Sequence, residues 1–329
     1  MLKTHGLSKS YDKEDVLINF NLDIESSEII GVVGGSGSGK TTLLRLISGL
    51  ELPDNGKIIL NNKVVNDQDV FVTPENRDCS LVFQDYALFP NISMLDNIYF
   101  GKNSNQNKEM VNELIRVTKI EKILDKFPHE CSGGEQQRVA LVRSLAINPS
   151  LVLMDEPLSN LDYNLKSNLG FMIRKLLKKF KTTAVIVTHD INDAMEMSDK
   201  IIVIDKGKVI QKGPPNEIYN NPVSKKVALF FGKTNFIPLH MMPDSKYHFF
   251  DDETKESWIS VRPNQFIAYN ERIKNKGKIY IGKIESLKTV GSEFKLALKC
   301  NNLRLNITLN TLTKLFVGQE LKVIMLINI

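Results

Sequence analysis

One nine-residue run, Gly34 to Thr42, reads GGSGSGKTT and limits what this chain can fold into more than any other stretch. Gly34, Gly39, Lys40 and Thr41 stand at the fixed positions of the phosphate-binding loop pattern, Gly-x4-Gly-Lys-Ser/Thr. Gly34, Gly35, Gly37 and Gly39 lack a Cβ, so the backbone there can wrap closely round a phosphate. The loop's N–H groups, with Ser36 and Ser38 among them and Thr42 at its end, then point inward as a nest for anions. Lys40 can reach the outer phosphates as a point charge. The Thr41 hydroxyl can sit on Mg²⁺, which prefers hard oxygen ligands.

The flanks agree with the loop. Glu28 to Val33 predicts a buried strand. Thr41 to Ser48 predicts a helix, with Leu43, Leu44 and Ile47 at helical spacing and Gly49 to end it. Strand, glycine loop and helix in that order put a helix N-terminus under the phosphates. The expectation is an α/β nucleotide-binding fold.

Composition sets the frame. A chain of 329 residues suggests two domains, or one large and one small. Apolar content of 42% is ample for a core, and a net charge of +5 with scattered lysines and arginines gives weak grounds for nucleic acid. Cys79, Cys131 and Cys300 show no metal-like pairing, which fits a reducing compartment. No apolar run approaches the roughly 20 residues of a membrane helix, and the N-terminal stretch lacks the apolar core of a signal peptide. A soluble, cytoplasmic protein that meets a membrane only through partners is expected.

Three more apolar strands end in polar groups. Ser80 to Phe83 ends at Gln84, either a simple polar cap or an amide placed by Mg²⁺ and an attacking water. Leu151 to Met154 runs into Asp155 and Glu156, and Pro157 stops the pairing. Beside a phosphate loop, Asp155 would hold Mg²⁺ and Glu156 would polarise a water aimed at the γ-phosphorus. Thr183 to Thr188 ends at His189, which would face the same crevice and hydrogen-bond the γ-phosphate. Tyr11 stands alone among polar neighbours. It reads either as a surface tyrosine or as a platform for adenine.

Ser132 with Glu135 three residues on matches a capping box before a helix through Val139, Leu141, Val142 and Leu145. Gly133 and Gly134 in its first turn are poor helix formers. They make sense if something approaches that backbone closely, as a second anion site would require. Ser159 to Asp162 reads as a tight turn, and Leu165 to Phe180 as a helix.

Residues 51–83 look like a small β layer, with a turn at Asn61-Asn62. Residues 86–146 read as a helical insert, with helical spacing from Glu109 to Leu124. A helix near Pro214 to Gly232 closes the first domain. From residue 235 the pattern becomes period-2: Phe294, Leu296 and Leu298, a turn at Asn301-Asn302, then Leu303, Leu305, Ile307 and Leu309. Domains at 1–234 and 235–329 follow, the second a small all-β barrel.

Together these motifs resemble the ATP-binding subunit of an ABC transporter of the bacterial importer type, over essentially the whole chain. Gly34–Thr41 resembles Walker A, Gln84 in VFQDYALFP the Q-loop, and Ser132 to Arg138 the ABC signature. Leu151–Glu156 resembles Walker B with its catalytic glutamate, Ser159–Asp162 the D-loop, and His189 the H-loop. Tyr11 stands where that family has its adenine-stacking aromatic. Cys131 and Glu135 depart from the family's usual Leu and Gln.

The resemblance implies ATP and Mg²⁺ as cofactors and a head-to-tail homodimer in which Ser132, Gly133, Gly134 and Glu135 of one copy, with Asp162, close on ATP held by the other. It further implies two integral membrane permease subunits, a solute-binding protein that acts through them, and a peripheral place on the cytoplasmic face of the cell membrane. The C-terminal part resembles a TOBE domain, with Val261-Arg-Pro263 as its short sequence. VFQDYALFP and Val72 to Arg77 look most like the ferric-iron branch, with polyamine, sulfate, molybdate and phosphonate importers close behind. A soluble ABC ATPase acting on ribosomes or DNA is the rival class. One cassette and a short insert weigh against it, and no nucleic acid is expected as a partner.

Overall fold

The computed structural model describes residues 1–101, 104–159, 161, 163–243, 245–271, 277–311 and 313–326. They form two compact units, Met1–Pro215 and Asn216–Ile329.

The first unit opens with β1 (Leu2–Tyr11) and β2 (Glu14–Ile24), a long antiparallel pair. β3 (Ile29–Gly34) then leads through the glycine loop into α1 (Lys40–Ser48), which Gly49 ends at φ 82°. β4 (Asn55–Leu60) and β5 (Lys63–Asn66) turn at Asn61 and Asn62, both at positive φ, and complete a four-stranded sheet in the order β2-β1-β4-β5. The β layer expected over 51–83 is met only in part: β4 and β5 lie in it, β1 and β2 join them without a clear alternation in β1 to announce it, and the strand at 79–82 goes to the central sheet instead.

β6 (Cys79–Val82) starts the remainder of the central sheet. The chain leaves it for α2 (Met94–Tyr99), α3 (Lys108–Thr118) and α4 (Gly133–Ala146). It returns as β7 (Leu151–Asp155), α5 (Tyr163–Lys179), β8 (Thr183–Thr188), α6 (Ile191–Met197), β9 (Lys200–Asp205) and β10 (Lys208–Gly213). The sheet order is β10-β9-β3-β8-β7-β6, parallel except for the β9–β10 hairpin.

Why this sheet forms is visible in its side chains. Every residue of β3 and β8 is buried, as parallel strands covered on both faces require. Alternate residues go to opposite cores. Ile30, Val32, Val185 and Val187 pack with Leu43, Leu44 and Ile47 of α1. Ile29, Ala184, Ile186, Val152 and Met154 pack with Val139 and Val142 of α4 and Ile173 and Leu176 of α5. Parallel strands end at one edge, so Gly34, Asp155 and Thr188 are carried to the same side of the sheet.

The helix expected to run to Leu124 stops six residues earlier. Lys119 turns left-handed at φ 56°, with its N–H donating to Ile115 O and Arg116 O, and the Thr118 hydroxyl donates back to Leu114 O and Ile115 O. Ile120 and Ile123 still enter the core from a 3₁₀ turn, which is why their spacing looked helical.

The second unit contains α7 (Pro215–Asn220) and α8 (Lys225–Phe230), then β11 (Asn235–Pro238), β12 (Phe249–Asp251) and β13 (Glu256–Val261) in a three-stranded sheet. β14 (Phe266–Ala268), β15 (Gly277–Val290), β16 (Glu293–Cys300), β17 (Leu303–Asn310) and β18 (Glu320–Leu326) make a curled five-stranded sheet in the order β14-β18-β15-β16-β17. The expected hairpin about Asn301-Asn302 has Leu296 opposite Ile307 and Leu298 opposite Leu305.

Residues 216–234 belong with this second unit, not with the first as the 234/235 boundary had it. The reason is Arg262. Its buried guanidinium donates to Tyr219 O, Ala228 O and Gly232 O at 2.8–3.2 Å, tying α7 and α8 to the strand pair they precede.

Candidate nucleotide site

The glycine loop is held from below and open above. A Cβ on Gly34 would lie 2.3 Å from Ile204 O, and one on Gly39, at φ 99°, 2.5 Å from Val16 O. Those two glycines are required by close packing. At Gly35 and Gly37 a Cβ would meet nothing within 4 Å, so the chain's own packing leaves space over the loop. Ser38 Oγ is buried with no hydrogen-bond partner among the described residues.

Lys40 lies at the first turn of α1 and folds back on the loop, donating to Gly34 O and Gly35 O at 3.0 Å each. Burial lowers its pKa, against the pull of Glu156 and Asp155. Two carbonyls are weak partners for a buried ammonium. A phosphate in the loop would be a strong one.

Thr41 Oγ1 donates to Asp155 Oδ1 at 3.3 Å, which joins the start of α1 to the end of β7. Burial pushes the Asp155 carboxyl up, with Thr41 opposing. A hydroxyl and a carboxylate side by side are hard oxygens that fit Mg²⁺, whose other ligands would be waters and phosphate oxygens. A cation there would also favour the ionised form that burial disfavours.

Glu156 follows at φ 47°, a left-handed conformation that costs a non-glycine residue about 1–3 kcal/mol. Its N–H donates to Val187 O at 2.8 Å, so the residue turns off the edge of the sheet toward the end of β8. There Glu156 Oε1 lies 2.9 Å from His189 Nδ1. A crevice of about 370 Å³ is lined by Ser36–Thr42, Glu156, His189, Tyr11 and Val16. Tyr11 is 38% exposed. Val16 was not singled out from the sequence. It lies where the β1–β2 register shifts, between Asp15 paired with Ser10 and Leu17 paired with Lys9, and a lone valine carries no signal of that.

Other expected residues lie elsewhere. Gln84, exposed and two residues past β6, does not line the crevice. Ser132, Gly133, Gly134 and Glu135 begin α4. The capping box is present: Glu135 Oε2 accepts from Ser132 N and Oγ at 2.8 Å each, which holds the carboxyl below its ordinary value. A Cβ on Gly133 would meet open space. Gly134 lines a separate groove of about 530 Å³ with Arg138, Leu161 and Met172. Cys131 is buried in the core shared by α3 and α4. Asp162 lies outside the described residues.

The family model described as ABC transporter matches residues 17–159. The spermidine/putrescine import ATP-binding protein PotA of Bacillus thuringiensis subsp. konkukian is 34% identical over 301 residues, 90% of this chain and 86% of that protein. This chain belongs to the ABC transporter family. Its standing among ABC importer ATP-binding subunits is supported by a second PotA, from Vibrio parahaemolyticus, 40% identical over 248 residues. That match takes in 74% of this chain and 64% of the Vibrio protein's length. Among solved structures, the dimeric post-hydrolysis state of the ATP-binding cassette MJ0796 bound to ADP and Pi is similar at a TM-score of 0.57 and 29% identity, over 65% of this chain and 99% of that one. The ABC cassette fold is therefore present, and the chain is of the ABC ATPase class. Both PotA relatives are named for spermidine and putrescine import, not for ferric iron, the cargo placed first from the sequence. Among the described residues no helix is long and apolar enough to cross a membrane.

Proposed function

We propose that this chain is the ATP-hydrolysing subunit of a polyamine importer. The cargo rests on one observation, the 34% identity to a spermidine/putrescine import subunit across 90% of the chain.

For the chemistry, the loop backbone and Lys40 bind the phosphates and Tyr11 faces the base. Thr41 and Asp155 hold Mg²⁺, which when bound neutralises charge on the phosphate oxygens. Glu156 accepts a proton from the water that attacks the γ-phosphorus. His189 orients that water and the γ-phosphate. Gln84 approaches the site when the chain closes on nucleotide. The α4 N-terminus and the loop line different cavities of one chain, and both suit anions. A head-to-tail homodimer brings Ser132, Gly133, Gly134, Glu135 and Asp162 of one copy onto ATP held by the other. Two membrane permease subunits receive the motion, a solute-binding protein delivers the cargo to them, and the chain sits peripherally on the cytoplasmic face. The second unit acts as a TOBE-like domain.

Uptake of labelled spermidine, putrescine and ferric iron by cells with and without the gene tests the cargo. Loss of polyamine uptake with iron uptake intact is expected. The converse would overturn the polyamine assignment.

A further inference from the structure

His189 is held between two anchored neighbours, and one anchor comes from another helix. Thr188 is buried at the end of β8. Asp190 donates its N–H to Thr188 Oγ1 at 3.0 Å, and its Oδ1 accepts from Asn192 N at 2.9 Å as the N-cap of α6. Its second oxygen, Oδ2, accepts from Lys166 Nζ at 3.4 Å, and Lys166 lies in the first turn of α5. So α5 reaches the histidine through one lysine and one aspartate.

The charges around that lysine make its removal consequential. Asp193, one turn along α6, is buried, and the charged groups about it are Asp190, Lys166, Glu196 and His189. Glu196 accepts from Ser167 Oγ at 3.4 Å, so α5 and α6 meet along a polar seam with three carboxylates on the α6 side. Lys166 is the lysine facing them. Without it, Asp190 and Asp193 confront each other as like charges three residues apart on a helix. Asp190 is the freer of the two, and a turn of its side chain breaks the cap and shifts the residue before it. The 2.9 Å approach of His189 to Glu156 leaves little room for such a shift. A misplacement of about 1 Å can cost on the order of a hundredfold in rate.

We propose that Lys166 is a positioning residue for ATP hydrolysis, fixing His189 through Asp190 from α5. This rests on the reading above that His189 serves hydrolysis.

The test is steady-state ATPase and equilibrium MgATP binding on the full chain for Lys166→Met, Lys166→Arg, His189→Ala and the Lys166→Met/His189→Ala pair. Lys166→Met is expected to lower kcat by about tenfold with KM and MgATP affinity within about twofold. Lys166→Arg, which keeps the cation, should restore most of the rate. In the His189→Ala background the lysine change should cost nothing further, because both act through one ring. Three results would overturn the proposal: wild-type kcat in Lys166→Met, no rescue by Lys166→Arg, or the same fold loss with and without His189. Wild-type kcat in His189→Ala would instead overturn the reading beneath it, a distinguishable outcome.

Discussion

Glu156 and His189 leave different strands, β7 and β8, yet their side chains meet with Oε1 and Nδ1 2.9 Å apart over the glycine loop. Two features bring this about. The parallel pairing of Asp155 with Val187 sets the two strand ends level, and the left-handed turn at Glu156 swings its carboxylate across. In the proposed hydrolysis this pair is where a water is activated beside the γ-phosphate.

Lys40→Met separates nucleotide binding from folding. Among the described residues the buried ammonium donates to two loop carbonyls, and burial lowers its pKa, so the uncharged residue should leave the melting temperature of the nucleotide-free protein nearly unchanged. MgATP, which needs the cation, should bind at least ~30-fold more weakly, as loss of about 2 kcal/mol or more from a desolvated charge pair implies. Titration with a fluorescent ATP analogue reads this directly.

Arg77→Ala should destabilise the first unit. Its guanidinium donates to Leu46 O and Ile47 O at the end of α1, and to Val65 O and Val72 O, at 2.7–3.3 Å. Gly49 is needed beside it, since a Cβ there would lie 2.6 Å from Arg77 Nε. Loss of a buried charged donor to four carbonyls should cost about 2–4 kcal/mol. A fall of roughly 5–10 °C in thermal melting is expected.

Arg262→Ala should act on the other unit alone. The residue is 1% exposed and holds α7 and α8 by their carbonyls. A calorimetric scan should show an earlier transition for residues 216–329, with MgATP affinity unchanged.

Asp193 gives a pH signature. Burial, with Asp190 next, pushes its carboxyl up to about 6. A carboxyl raised in the folded state binds its proton more tightly there than when unfolded. Its stabilising contribution is therefore full below the unfolded value near 3.8 and is lost as pH rises through about 6. Asp193→Asn should melt higher than the parent at pH 7.5, with the difference gone at pH 4. Melting curves across that range check the sign.

Much of the nucleotide site was legible because its chemistry is local. Gly34 to Thr42 is one contiguous loop, and Asp155, Glu156 and His189 each follow an apolar strand whose end is easy to see. The Asn301 hairpin was legible for the same reason, as strict alternation on either side of a turn. What was hidden depends on long-range pairing. Val16 lines the crevice from a shift in the register of β1 with β2, and β1 shows no clean period. Residues 216–234 join the second unit because one buried arginine 30 to 43 residues away binds their carbonyls. The cargo was hidden for a different reason: Val72 to Arg77, which looks like a mark of the iron branch, includes Arg77, whose guanidinium binds the carbonyls at the end of α1.

If Glu156 activates the hydrolytic water at a site two copies complete together, replacing its carboxylate by an amide should trap ATP there. Light scattering of Glu156→Gln with MgATP, read alongside phosphate release, tests it most directly. A stable dimer holding two ATP and releasing almost no phosphate is expected. A monomer that still hydrolyses ATP at the parent rate would contradict it.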